Sequence, residues 1–178
     1  MQGFATFCAL LVTAMLPYIM LNLGFPFGRR FKVFMGDAGS IFIGFTVIWL
    51  LIVASQGERA TALRPVTALW LIALPLMDMV CIMIRRIRKG QSPFKPDREH
   101  LHHICQRLGM SSHLSLLVIC SAAGGMAAIG IWSELTKVSE SMMFFVFLAV
   151  FALYFSLMNN IWRITAFLRR DVKFTKTI

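Results

Sequence analysis

Residues 85–103, RRIRKGQSPFKPDREHLHH, form the one long polar run in a chain that is otherwise mostly apolar. Six of these nineteen residues are Arg or Lys, and Pro93 and Pro96 interrupt the run. Three of the chain's four His fall within four positions, at His100, His102 and His103. A basic, His-rich loop between apolar segments reads as the cytosolic face of a membrane protein that handles phosphates.

The composition around that loop agrees. Hydrophobic residues make up 58% of the 178 and charged residues only 15%, with a mean hydropathy of +0.73. Soluble domains carry about a quarter charged residues, so that class is excluded. The net charge of +10, from 18 Lys and Arg against 8 Asp and Glu, would point to nucleic acid in a soluble protein. Here the charge sits in short loops between apolar segments, where membrane orientation and anionic lipid explain it, and no nucleic-acid partner is expected. Cys8, Cys81, Cys105 and Cys120 show no paired spacing, which signals neither a zinc knuckle nor a disulfide framework. No basic region precedes the first apolar stretch, so no cleavable signal peptide is expected.

Five stretches are long enough, or nearly so, for the roughly 20 apolar residues that a bilayer crossing needs. They run over about 4–23, with a kink expected at Pro17, 40–54, 65–84, 114–132 and 142–162. The second is short unless it begins inside the preceding GDAGS turn. The fourth has a small-residue core whose Gly124, Gly125 and Gly130 would allow close helix packing. The fifth is rich in Phe, shows no polar face and is expected to touch lipid. Of the 18 basic residues, 15 fall in loops 24–39 and 85–113 and in the C-terminal tail, and 3 (Arg59, Arg64 and Lys137) on the other side. That split puts both loops and the C-terminus in the cytosol and the N-terminus outside. The expected fold is all-α: a polytopic membrane protein of about five transmembrane helices, with residues 1–178 as a single membrane domain.

Three places in this frame can carry chemistry. In the first cytosolic loop, Gly36 and Gly39 flank Asp37 at the threshold of a membrane helix. A tight glycine turn and free helix-end N–H groups suit phosphate oxygens, and Asp37 offers a hard oxygen for Mg²⁺. A helix cap by Asp37 is the equally weighted alternative. In the second loop, His100 and His103 share a face if the segment is helical, and His102 joins His100 if it is extended. Such a cluster suits phosphate, or a transition metal in a zinc hydrolase, although no partnered Cys or Glu-x-x-His pattern accompanies it. Arg85, Arg86, Arg88 and Lys89 serve as membrane anchors, with one or two left to meet a diphosphate. Asp78 is the odd acid of the third segment, about 9 Å from its cytosolic end at 1.5 Å per residue. A carboxylate there needs a partner or a polar cavity. Arg85, seven residues on along the same face, is the partner that spacing suggests.

FKVFMGDAGS at 31–40, PLMD running into RRIRKG at 75–90, SPFKPDREHLHH at 92–103 and the upstream LPYIMLNLG occur here in order. Together they resemble the polyprenyl-phosphate N-acetylhexosamine-1-phosphate transferases over nearly the whole chain. The resemblance implies transfer of a sugar 1-phosphate from a UDP-N-acetylhexosamine to undecaprenyl phosphate in the bacterial inner membrane. UMP is released, and the product initiates O-antigen, enterobacterial common antigen or other envelope polysaccharide. It implies a Mg²⁺ or Mn²⁺ ligand at Asp37, and His100, His102, His103 and Asp97 at the donor diphosphate. Substrate-binding roles fall to Arg86, Arg98 and Asp78.

The departure is as clear as the match. Family members carry a preceding half with D-D-x-x-D and D-G-x-D-G motifs. This sequence has eight acids, none adjacent, and neither motif. It therefore reads as the C-terminal part of such a transferase. It would act with a missing N-terminal half, or serve only as a membrane scaffold.

Overall fold

The computed structural model describes residues 2–25, 28–56, 62–93 and 100–174, without the side chains of Gln2, Arg29 and 162–174. Every regular element among the described residues is helical. They run in the order α1 (Gln2–Leu23), a 3₁₀ turn (Arg29–Phe31), α2 (Gly36–Gln56), α3 (Pro65–Leu71), α4 (Ala73–Arg88), α5 (Leu101–Arg107), α6 (Ser112–Leu135) and α7 (Glu140–Phe174). The chain falls into two compact units, Met1–Leu50 and Leu51–Ile178.

In the first unit α1 spans 22 residues with Pro17 inside it, and no residue of its apolar window is buried. An apolar helix whose spanning window holds no buried residue is suited to lipid contact. Helix α2 begins at Gly36, four residues earlier than the expected Ser40. The GDAGS stretch is thus the first turn of α2, which brings this helix to a spanning length of 21 residues. Gly36 enters it at φ +73°, a conformation costly for any residue with a Cβ.

The second unit holds the main departure. In place of one straight span over 65–84, α3 and α4 are bent by 78° at a break around Ile72. Pro75 explains the break. Its ring would clash with the Leu71 carbonyl and it has no N–H to donate there, so α3 cannot continue through it. Placed in the first turn of α4, the same proline needs no donor. Among the described residues, four helices are long and apolar enough to cross a bilayer, and the bent pair makes up to five. Helix α4 runs on through Arg85, Arg86 and Arg88 and stops at Gly90, whose φ of +68° lets Gln91 N–H reach back to the Arg86 carbonyl.

Among the described residues, the largest fully buried side chains are Trp70, Met77, Thr67, Cys81 and Ser133, from α3, α4 and α6. Trp70 meets Phe147 of α7 edge-on at 5.7 Å and donates from Nε1 to the Met143 carbonyl at 3.3 Å. Helix α7 was expected to touch lipid, with no polar face to direct it. Met143, Phe147, Tyr154 and Met158 form a buried stripe, while Phe145, Leu153 and Leu157 on other faces are exposed. At the start of α3, Arg64 Nε lies 3.2 Å from Glu134 Oε1 of α6, and Thr67 Oγ1 donates to the same carboxylate. Lipid gives no water-exclusion force between helices, so such polar ties and close packing carry the association.

Of the three glycines expected to bring helices together, one does. A Cβ on Gly130 would sit 2.6 Å from Trp70 Cβ, whereas one on Gly124 or Gly125 would meet nothing within 4 Å. Gly130→Ala is therefore expected to destabilise the second unit by about 1–3 kcal/mol, because the atom it strikes is next to the backbone. Gly125→Ala should change stability by no more than about 0.5 kcal/mol. Unfolding of each variant in detergent micelles checks the pair, and equal effects would contradict the Gly130–Trp70 contact.

Candidate functional site

The acid that stood out in the apolar third segment is where the second unit's polar side chains gather. Asp78 lies in α4 with its side chain 16% exposed. Its Oδ2 is 2.9 Å from His100 Nδ1. Its Oδ1 accepts from Tyr154 Oη at 2.8 Å and from the Leu101 N–H at 3.3 Å. The spacing pointed to Arg85, whereas these partners come from the start of α5 and from α7. A carboxylate at membrane depth costs about 2.5–3.5 kcal/mol on insertion scales. Three donors divided over its two oxygens offset that cost, and losing one would leave an acceptor short by about 1–3 kcal/mol.

The local sequence explains why α5 begins where it does. His100 is its N-cap residue, extended at φ −65°, ψ 154°, and its side chain makes no capping bond. Asp78 caps the helix from outside by taking the Leu101 N–H, one of the donors that a helix start leaves unpaired. Ile104 and Cys105 of α5 are buried, and Leu101 and Leu108 pack against the same core.

That geometry resolves the two expectations for the His cluster in an unexpected way. His102 and His103 lie in the first turn of α5 and His100 in the extended cap, so all three rings gather. His100 and His102 stack at 6.0 Å and 15°, and His102 and His103 approach to 4.0 Å. The His102 imidazole is pushed below its ordinary pKa, first by partial desolvation and then by His103 and His100, with Asp78 opposing. Cys105, buried in the same helix, has its thiol pushed up chiefly by burial.

The remaining expected residues are distributed as follows. Arg86, in the last turn of α4, donates to the Pro93 carbonyl and so ties down the start of the loop. Asp97 and Arg98 lie outside the described residues. Asp37 belongs to the other unit, exposed in the first turn of α2, where Ser40 Oγ donates back to the Asp37 carbonyl at 2.9 Å. Among the described residues no group of three or more His, Cys, Asp or Glu is arranged to hold a metal ion. Mg²⁺ is commonly held by one or two carboxylates plus substrate phosphates, and Asp37 fits as one such ligand. Tyr154 was missed by the sequence reading. The signal was there in a single Tyr within a Phe-rich apolar helix, since a buried hydroxyl generally has a partner.

With this geometry in view, the likeness to known proteins is specific. The undecaprenyl-phosphate alpha-N-acetylglucosaminyl 1-phosphate transferase of Pasteurella multocida is 51% identical over 168 residues, covering 94% of this chain and 47% of that protein. The protein of the same name from Haemophilus influenzae is 51% identical over 160 residues, 90% of this chain and 45% of its own. That from Escherichia coli is 51% identical over 167 residues, 93% and 45%. The chain is related in sequence to the C-terminal part of these transferases. It spans under half the length of the curated relatives it matches. No protein-family profile and no solved structure matches it.

The His102 shift makes a directional prediction. An imidazole whose folded pKa lies below its unfolded value of 6.5 is protonated less readily in the fold. Its contribution to stability is therefore complete above pH 6.5 and falls away as the pH drops through the lower folded value. An NMR titration of His102 in micelles should show a midpoint below 6.5. A midpoint at or above that value would contradict the stacked arrangement.

Proposed function

We propose that this chain forms the His-bearing part of a membrane sugar-phosphate transferase. The reaction moves N-acetylglucosamine 1-phosphate from UDP-N-acetylglucosamine to undecaprenyl phosphate. An acceptor phosphate oxygen forms the new bond to the β-phosphorus of the donor, the bond to UMP breaks, and undecaprenyl-diphosphate N-acetylglucosamine remains in the membrane. The observation that carries this reading is 51% identity over 90–94% of the chain to transferases of that printed name. The gathered imidazoles beside the Asp78 carboxylate support it.

The roles follow from the charge of the reactants. Two phosphates must approach each other, so cationic donors and a divalent ion offset their repulsion and the charge on departing UMP. His100, His102 and His103, together with Asp97, attend the donor diphosphate. Arg86 and Arg98 meet phosphate oxygens through their planar forks. Asp37 is one ligand of Mg²⁺ or Mn²⁺, which when bound supplies charge neutralisation at the diphosphate. Asp78, first read as a substrate ligand, is reassigned here, because its carboxylate is occupied by protein donors.

The activity is proposed for the chain together with the portion of the transferase that its match leaves uncovered. A second reading, favoured by that 45–47% coverage, is that the chain alone is a membrane scaffold. UMP release separates them in membranes supplied with UDP-N-acetylglucosamine, undecaprenyl phosphate and Mg²⁺. Release is expected when the chain is co-expressed with the N-terminal portion of a relative. His100→Ala or Asp37→Ala should each lower it by about 100-fold or more. No release from the co-expressed pair would sink the transferase reading.

The location proposed is the bacterial inner membrane, with loops 24–39 and 85–113 on the cytosolic face. The 15 to 3 split of basic residues supports this orientation. Cysteines introduced singly at Ser92 and at Lys137 test it with an impermeant thiol reagent on intact cells. Position 137 should label from outside and position 92 only after the membrane is broken, and the reverse pattern would invert the topology.

A further inference from the structure

We propose that Asp78 and Tyr154 are positioning residues for His100. They fix its Nδ1 as the protonated nitrogen facing the protein and leave Nε2 as the atom presented to a substrate phosphate. This deepens the transferase reading and rests on it for the identity of the phosphate, while the tautomer itself stands on geometry alone.

The hydrogen-bond inventory decides the tautomer. Three donors converge on the Asp78 carboxyl: Tyr154 Oη at 2.8 Å, the Leu101 N–H at 3.3 Å, and the His100 ring at 2.9 Å. Its Oδ1 already accepts from a hydroxyl and an amide, which suits the ionised form, and an ionised carboxylate only accepts. The His100 nitrogen facing Oδ2 must therefore carry the proton. In a neutral imidazole the other nitrogen then bears the lone pair.

Each part of the arrangement restrains another. Tyr154 and the Leu101 amide hold Oδ1, so the carboxylate cannot roll without losing them, and Oδ2 stays aimed at the ring. The His100 backbone is fixed as well, because its carbonyl accepts from the His103 and Ile104 N–H groups at 2.9 and 3.2 Å. The carboxylate is 16% exposed and the imidazole 41%, so the charged partner is inside and the ring faces out. A lone pair held outward on Nε2 can take a proton. Once the ring is protonated, Asp78 stabilises the imidazolium and Nε2–H can donate to a phosphate oxygen.

A purely structural tie between α4, α5 and α7 would use the same bonds and hold the same tautomer, but turnover would not depend on it. The tautomer itself is read by ¹⁵N–¹H correlation of the imidazoles in the full chain, labelled at His, in micelles at mildly alkaline pH. His100→Gln assigns the peak. The expected result for His100 is the Nδ1–H pattern, shifting to a mixture in Tyr154→Phe and towards Nε2–H in Asp78→Asn, whose carboxamide can donate to Nδ1. Tyr154→Phe keeps the ring and removes only the hydroxyl, so it carries the test if Asp78→Asn fails to fold. An Nε2–H pattern in the unaltered chain, or no change in Tyr154→Phe, overturns the proposal.

Activity supplies the second readout, in the co-expressed assembly. Tyr154→Phe should lower kcat for UMP release by about 10-fold, the scale of losing an outer-shell hydrogen bond, with little change in KM for the donor. Unchanged kcat overturns the positioning role. Absence of UMP release from every form, with the Nδ1–H pattern intact, overturns the transferase reading while the fixed tautomer stands.

Discussion

A carboxylate within a pack of apolar helices must be satisfied, and the second unit is arranged so that Asp78 is. Its side chain is only 16% exposed, and leaving it bare would cost more than most single contacts return. Its three donors come from two separate places in the chain: the adjacent His100 and Leu101 at the start of α5, and Tyr154 of α7. Meeting that demand ties the short helix after the basic loop to α4. It also sets which face of α7 turns inward, since Tyr154 shares its buried stripe with Met143, Phe147 and Met158. Three imidazoles are held together as a result. One polar residue thus links membrane packing to the place where chemistry is proposed.

The other constraint is close approach. Lipid is as apolar as the helix surfaces, so apolar area alone does not tell helices where to pack. The bend at Ile72 and the missing Cβ of Gly130 let Trp70 sit directly against α6. The Arg64–Glu134–Thr67 ties then close the start of α3 onto that helix. Around these contacts the outward faces remain apolar: Leu116, Leu117 and Trp132 of α6 and Phe145 and Leu153 of α7 are exposed. The unit sets a few polar ties among largely apolar helix contacts and keeps its outward faces apolar as well, unlike a soluble domain, whose surface is polar.

The functional reading draws on both sources unequally. Identity of 51% to named transferases supports the reaction class, yet the match covers under half of each relative. What this chain contributes is a cluster of imidazoles backed by a carboxylate, together with an exposed Asp37 in its other unit. Groups of those kinds can accept and donate hydrogen bonds to phosphate oxygens and exchange protons. The acidic motifs that the family uses elsewhere are not in this sequence.

Much of the fold was legible in the sequence, because a bilayer imposes a length and a composition on any segment that crosses it. Four spans and the all-helical class follow from runs of apolar residues alone. So does the assignment of His100, His102 and His103 to one polar loop. The first turn of α2 was legible only as an option, since the GDAGS stretch reads equally as turn or helix start. The 78° bend was legible in principle through Pro75 but was masked by continuous hydropathy, which does not register a lost N–H donor. The tertiary structure alone decided which partners Asp78 takes, because Tyr154 lies 76 residues away and spacing along one helix speaks only to neighbours such as Arg85. It alone decided that Gly130, and not Gly124 or Gly125, makes the close contact, since that depends on where a neighbouring helix crosses. Local periodicity fixes which residues can cross a membrane, whereas the pairing of a buried charge is settled only when distant segments meet.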